Sequence, residues 1–108
     1  MADWVNVGSV AEIPPGAHKA MDLNGVMIAV FNISGRFYAI EDVCTHDGGI
    51  LTGGPIDGNI ITCPRHGATF DICTGTALTA PAYEPINTFP VRIDNGMVQV
   101  KDDRWSCS

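Results

Sequence analysis

Two short stretches hold the residues best suited to chemistry: Cys44-Thr45-His46 and Cys63-Pro64-Arg65-His66, with sixteen residues between His46 and Cys63. Each offers one thiol and one imidazole within four positions. Two soft thiolates with two imidazoles suit either a tetrahedral zinc ion or an iron–sulfur cluster. Zinc sites commonly pair Cys with Cys and His with His, each pair on its own turn. Here each stretch carries one of each kind. In a two-iron cluster of mixed ligation, one iron takes both cysteines and the other both histidines. Two facing loops, each donating one ligand to each iron, meet that requirement. Four thiolates would leave the oxidised core a dianion, whereas two thiolates and two neutral imidazoles leave it neutral. A neutral centre accepts an electron more readily, so mixed ligation raises the potential.

The surroundings, Cys44-Thr45-His46-Asp47-Gly48-Gly49 and Cys63-Pro64-Arg65-His66-Gly67-Ala68-Thr69-Phe70-Asp71, resemble the Rieske signature. They also look like the Rieske ferredoxins that serve bacterial ring-hydroxylating oxygenases. The resemblance covers almost the whole chain. It implies an all-β Rieske fold: a sandwich-like antiparallel framework (1–42 and 76–108) with a cluster-binding subdomain (43–75) inserted in a single domain. It implies one [2Fe–2S] cluster, with Cys44 and Cys63 on the inner iron and His46 and His66 on the outer one. It also implies transient docking to a flavoprotein ferredoxin reductase and a terminal oxygenase, with the chain carrying electrons between them.

Departures from other Rieske branches refine that reading. High-potential respiratory members carry an additional cysteine in each loop, joined in a disulfide, at positions that are Gly49 and Arg65 here. Their loops also end His-Gly-Ser, where this chain has Ala68 after Gly67. Fewer donors to the cluster sulfurs stabilise the added electron less. The expected potential is near the low end of the Rieske range, about −150 mV. Gly48, Gly49 and Gly67 fit a loop whose backbone N–H groups approach sulfide, an approach that a Cβ would block. Thr79-Ala80-Pro81-Ala82 resembles the family's third loop, which covers the cluster with a proline. Arg65 and Asp47, beside the ligand histidines, are candidate docking charges.

The elements that must position these loops are strands. Val26–Phe31 and Arg36–Glu41 suit a pleated surface, with Asn24-Gly25 before the first and Ser34-Gly35 between them. Thr88–Asp94 and Met97–Lys101 flank Asn95-Gly96, a strong hairpin signal. Ser9-Val-Ala-Glu12 has a capping-box pattern, but Pro14-Pro15 limits any helix there to one turn. From Val43 to Gly75 the chain holds seven glycines and two prolines around a short apolar stretch, Asn59–Thr62. The polar tail after Lys101 is expected to fray.

Composition narrows the remaining classes. The chain has 108 residues, 45% of them apolar and 7% aromatic, with 12 Gly and 7 Pro, which favours short strands and tight turns. Its formal charge of −6 repels nucleic acid and anionic membranes and steers it toward basic protein surfaces. The N-terminal residues lack a signal-peptide pattern and no apolar run could span a bilayer, so the expected compartment is the cytoplasm. There Cys73 is expected to be a buried small hydrophobe and Cys107 an exposed free thiol, with no disulfide between them. His18, after Pro-Pro-Gly-Ala, reads as a surface side chain in a loop. No nucleophile elbow, phosphate loop or acid/base pair is present, so no catalytic residue is expected. Three other readings share the motif: a small subunit of a larger reductase such as nitrite reductase, a zinc-stabilised interaction module, and a catalytic oxygenase. The chain has no room for the mononuclear iron domain that the last requires.

Overall fold

The structure, a computed structural model, describes residues 4–43, 50–64, 67–80, 82 and 84–101. Its strands are β1 (Trp4–Ser9), β2 (His18–Leu23), β3 (Val26–Ile33), β4 (Arg36–Glu41), β5 (Ile56–Asp57), β6 (Ile60–Thr62), β7 (Thr69–Asp71), β8 (Thr88–Phe89), β9 (Val91–Asp94) and β10 (Met97–Lys101). A single 3₁₀ turn, Val10–Glu12, follows β1. Every strand pair is antiparallel, as the all-β reading expects.

Local sequence explains the hairpins. Asn24-Gly25, Ser34-Gly35 and Asn95-Gly96 all take positive φ, from 52° to 92°, the conformation of a two-residue turn that follows strand twist. Leu23 then pairs with Val26, Ile33 with Arg36, and Asp94 with Met97. The Asp22 carboxylate accepts the Gly25 N–H at 2.7 Å, and Asn32 Oδ1 accepts the Gly35 N–H at 2.8 Å.

The strands form three sheets, ordered β1-β10-β9, β2-β3-β4-β8 and β5-β6-β7. The second is the middle layer. On β3, Ile28 and Val30 point into one core with Leu23, Ala39, Phe89, Val98 and Val100, while Ala29 and Phe31 point into the other. That other core also holds Ile40, Leu51, Ile61, Cys63, Phe70 and Ile72. Strand β3 is covered on both faces from Ile28 to Phe31, which is why that part of the run is apolar at successive positions.

Three differences from the sequence reading have physical causes. The stretch Thr88–Asp94 is two strands in two sheets, because Pro90 has no N–H to continue a ladder; its carbonyl instead accepts the Lys101 N–H at 3.1 Å. Cys73 is half-exposed rather than buried, since it lies on the turn after β7, where its N–H donates to Asp71 Oδ1 at 2.8 Å. His18 is exposed as expected, but it opens β2 rather than a loop, with its ring centroid 5.4 Å from that of Phe31. Among the described residues, no helix is long and apolar enough to cross a membrane.

Candidate metal centre

Of the four predicted ligands, the structure describes Cys63; Cys44, His46 and His66 lie outside the described residues, as do Asp47, Arg65, Pro81 and Cys107. Cys63 is 1% exposed, at the end of β6 in the core between the second and third sheets. Two backbone bonds join the described ends of the turn that follows it. The Cys63 N–H donates to the Ala68 carbonyl at 2.7 Å, and the Gly67 N–H donates back to the Cys63 carbonyl at 3.1 Å. Gly67 has φ of 77° with no protein atom within 4 Å of where a Cβ would stand. Among protein atoms its requirement is therefore the left-handed backbone rather than space.

The loop that carries Cys44 and His46 is tied at both ends. Asp42 is buried, and its own N–H donates to the Met27 carbonyl on β3 at 2.9 Å. Its carboxylate accepts the N–H groups of Leu51 and Thr52, each at 2.9 Å, and the Thr52 hydroxyl at 2.7 Å. The returning chain then runs beside the strand that leads to Cys63. The Thr62 N–H donates to the Pro55 carbonyl at 2.9 Å, and a Cβ on Gly54 would overlap the Thr62 carbonyl oxygen. Backbone contact thus holds the segment 54–55, on the returning side of the first stretch, against Thr62, the residue before Cys63.

A third segment is pinned to the second loop. Thr79 Oγ1 accepts the Thr69 N–H at 3.0 Å and lies 2.9 Å from the Thr69 hydroxyl, while the Leu78 N–H donates to the Thr69 carbonyl at 2.8 Å. Ala82 then returns to the core. Asp42, Thr52 and Gly54 escape a reading by residue type, because their partners, each other's groups for Asp42 and Thr52 and the Thr62 carbonyl for Gly54, are brought near only by the fold.

The described residues fit a soft-ligand metal centre. The buried Cys63 thiol is a soft, water-shielded donor, and the described ends of the segment that carries the other Cys/His pair, at Asp42 and Leu51–Thr52, are bonded to each other. Among the described residues, no group of three or more His, Cys, Asp or Glu side chains offers a competing metal site.

Comparison with known proteins agrees with this geometry. The family model of the Rieske [2Fe-2S] domain matches residues 3–90. The ferredoxin component of the naphthalene 1,2-dioxygenase/salicylate 5-hydroxylase systems of Ralstonia sp. is 36% identical over 99 residues, 92% of this chain and 95% of that protein. Among solved structures, the Sphingomonas yanoikuyae B1 ferredoxin superposes with a TM-score of 0.85 at 37% identity, covering 93% of this chain and 99% of that one. A chain in the complex of reduced oxygenase and oxidized ferredoxin of carbazole 1,9a-dioxygenase gives a TM-score of 0.85 at 36% identity, covering 90% of this chain and 91% of that one.

Proposed function

We infer the function of this chain from its family: it belongs to the Rieske [2Fe-2S] domain family, and it acts as the one-electron-carrying ferredoxin component of an aromatic-ring oxygenase system. The observation that carries this reading is the reach of the likeness. The chain matches 95% of a relative whose whole length is a ferredoxin component, and 99% of a solved ferredoxin. The family supplies one Rieske [2Fe–2S] cluster, which sets aside the zinc-stabilised module. When bound, the cluster accepts and releases a single electron.

The ligand set is Cys44, His46, Cys63 and His66, the cysteines on the inner iron and the histidines on the outer. The single domain comprises a framework of 1–42 and 76–108 around the cluster-binding segment 43–75. The protein's own part is to hold and shield these ligands and to present their edge to a partner. Two exposed apolar residues flank the ligand loops: Ile50, 56% exposed, directly after the first, and Leu78, 44% exposed, beside Thr69. Exposed apolar side chains near the ligand loops, in a chain of charge −6, suit transient docking on a basic protein surface. The electron donor is a flavoprotein ferredoxin reductase, the acceptor is a terminal oxygenase, and both meetings take place in the cytoplasm. The chain is an electron-transfer component, not an enzyme in its own right.

The test is single-turnover mixing of the reduced protein with the terminal oxygenase of a naphthalene dioxygenase system stripped of its own ferredoxin. The expected result is reoxidation by one electron per chain, with the two proteins separating on dilution. A protein that resists reoxidation, or that remains bound in fixed stoichiometry to a larger reductase, contradicts the shuttle.

A further inference from the structure

We propose that Asp42 is the positioning residue of the metal centre: its carboxylate joins the outgoing and returning ends of the segment that carries Cys44 and His46, and so governs cluster retention and ligand geometry. The inference rests on the reading of Cys44 and His46 as ligands.

The argument starts from burial. A carboxylate 5% exposed is costly unless its charge is met by donors, and among the described residues three meet it, from the Leu51 N–H, the Thr52 N–H and the Thr52 hydroxyl. All three come from the far end of the segment that begins one residue after Asp42. Among the described residues the group therefore joins the two ends of that segment. Among the described residues, the only salt bridge joins Lys19 and Glu12, and Asp42 takes no part in it.

The two sides of the closure are anchored differently. On the outgoing side the Asp42 N–H is fixed to Met27 of the middle sheet, and the preceding Glu41 N–H to the Asn87 carbonyl, each at 2.9 Å. On the returning side Leu51 is fully buried in the core that contains Cys63. Asp42 is thus the link through which the framework fixes the first ligand loop relative to the second. Removing its carboxylate leaves the Leu51 N–H inside the core without a partner and frees the returning end to move. Partners of this kind, outside the ligands themselves, commonly change metal affinity by about 10–100-fold.

Three variants of the cluster-loaded protein separate the possibilities. Asp42→Ala removes all three acceptor contacts. Asp42→Asn keeps an oxygen for the two N–H groups and offers an N–H to the Thr52 hydroxyl, so it preserves the closure without the charge. Thr52→Val removes the hydroxyl contact alone. The readouts are the rate of iron release to a ferrous chelator, the g values of the reduced EPR signal and the amide exchange of Leu51 and Thr52. Asp42→Ala is expected to release iron about tenfold faster or more, with shifted g values and lost amide protection. Asp42→Asn should restore the parent g values and a release rate within a few-fold of the parent, and Thr52→Val should fall between parent and Asp42→Ala.

If Asp42→Ala lowers only the melting temperature and keeps the parent release rate and g values, the positioning role is wrong. If it yields no folded protein, Thr52→Val decides, and parent-like release from that variant overturns the proposal. Failure of the ligand reading looks different: the parent itself would then lack a mixed His/Cys signal.

Discussion

The N–H of Cys63 donates to the carbonyl of Ala68 across 2.7 Å, and both residues are buried in the core between the second and third sheets. Cys63 is placed by backbone bonds of the β6–β7 connection, to Ala68 and from Gly67. Replacing Cys63 with Ser nearly preserves its size but substitutes a hard, weakly acidic oxygen for a soft thiolate. The expected outcome is loss of most iron and acid-labile sulfide, measured by chemical analysis and by visible absorption of the purified protein. A variant that retains full iron and colour would remove Cys63 from the ligand set.

Gly54 and Gly58 differ in what a methyl group would meet. At Gly54 a Cβ overlaps the backbone oxygen of Thr62, whereas at Gly58 space is open and only φ of 62° resists substitution. Gly58→Ala should therefore cost about 1–2 kcal/mol, the usual penalty for a left-handed residue. Gly54→Ala should cost more, because two backbone segments must separate beside Cys63. At about 4–8 °C of melting temperature per kcal/mol for a domain of this size, calorimetry resolves the order. Equal melting temperatures would show that the two loops are not pressed together at Gly54.

Ala68 stands where high-potential Rieske proteins place a serine whose hydroxyl bonds a cluster sulfide. The potential of the parent protein is expected near about −150 mV. Ala68→Ser adds a donor that favours the reduced state, so the midpoint should move upward within the Rieske range. Spectroelectrochemical titration of both proteins checks the sign. A downward or absent shift would mean that the added hydroxyl finds another partner in this core.

The carboxyl group of Glu12 is held below its ordinary 4.5, first because the Ser9 N–H donates to it at 2.8 Å and then because Lys19 approaches to 3.2 Å. A lowered folded-state pKa stabilises the protein fully above the unfolded value and loses that contribution as pH falls through the folded one. The melting temperatures of parent and Glu12→Gln should differ most above pH 4.5 and converge in more acid solution. The exposure of the Glu12 side chain and solvent screening keep the difference small. A gap that widens with acid would contradict the assignment.

Much of the framework was legible because its signals are local. Asn24-Gly25, Ser34-Gly35 and Asn95-Gly96 each announce a hairpin through adjacent residues that tolerate positive φ. The Cys/His pairs were legible for a similar reason, since metal chemistry restricts both residue type and spacing. What escaped was long-range. Strand β1 (Trp4–Ser9) is a strand because it pairs with β10 at the other end of the chain, with a register shift between Asn6 and Gly8. No local turn marks that pairing. Asp42 gave no signal either, because its partners are two main-chain N–H groups and a hydroxyl brought to it by loop closure. Cys73 departs from the expectation for its type, since cysteine is usually a buried hydrophobe, whereas this position lies on the turn after β7 and is only partly buried.

The most direct test of the account is a low-temperature EPR spectrum of the dithionite-reduced protein. Ligation by Cys44, His46, Cys63 and His66 predicts a rhombic spin-half signal whose average g lies below that of all-cysteine [2Fe–2S] clusters. An all-cysteine signal, or a colourless protein that takes up zinc and no cluster on reconstitution with iron and sulfide, would contradict it.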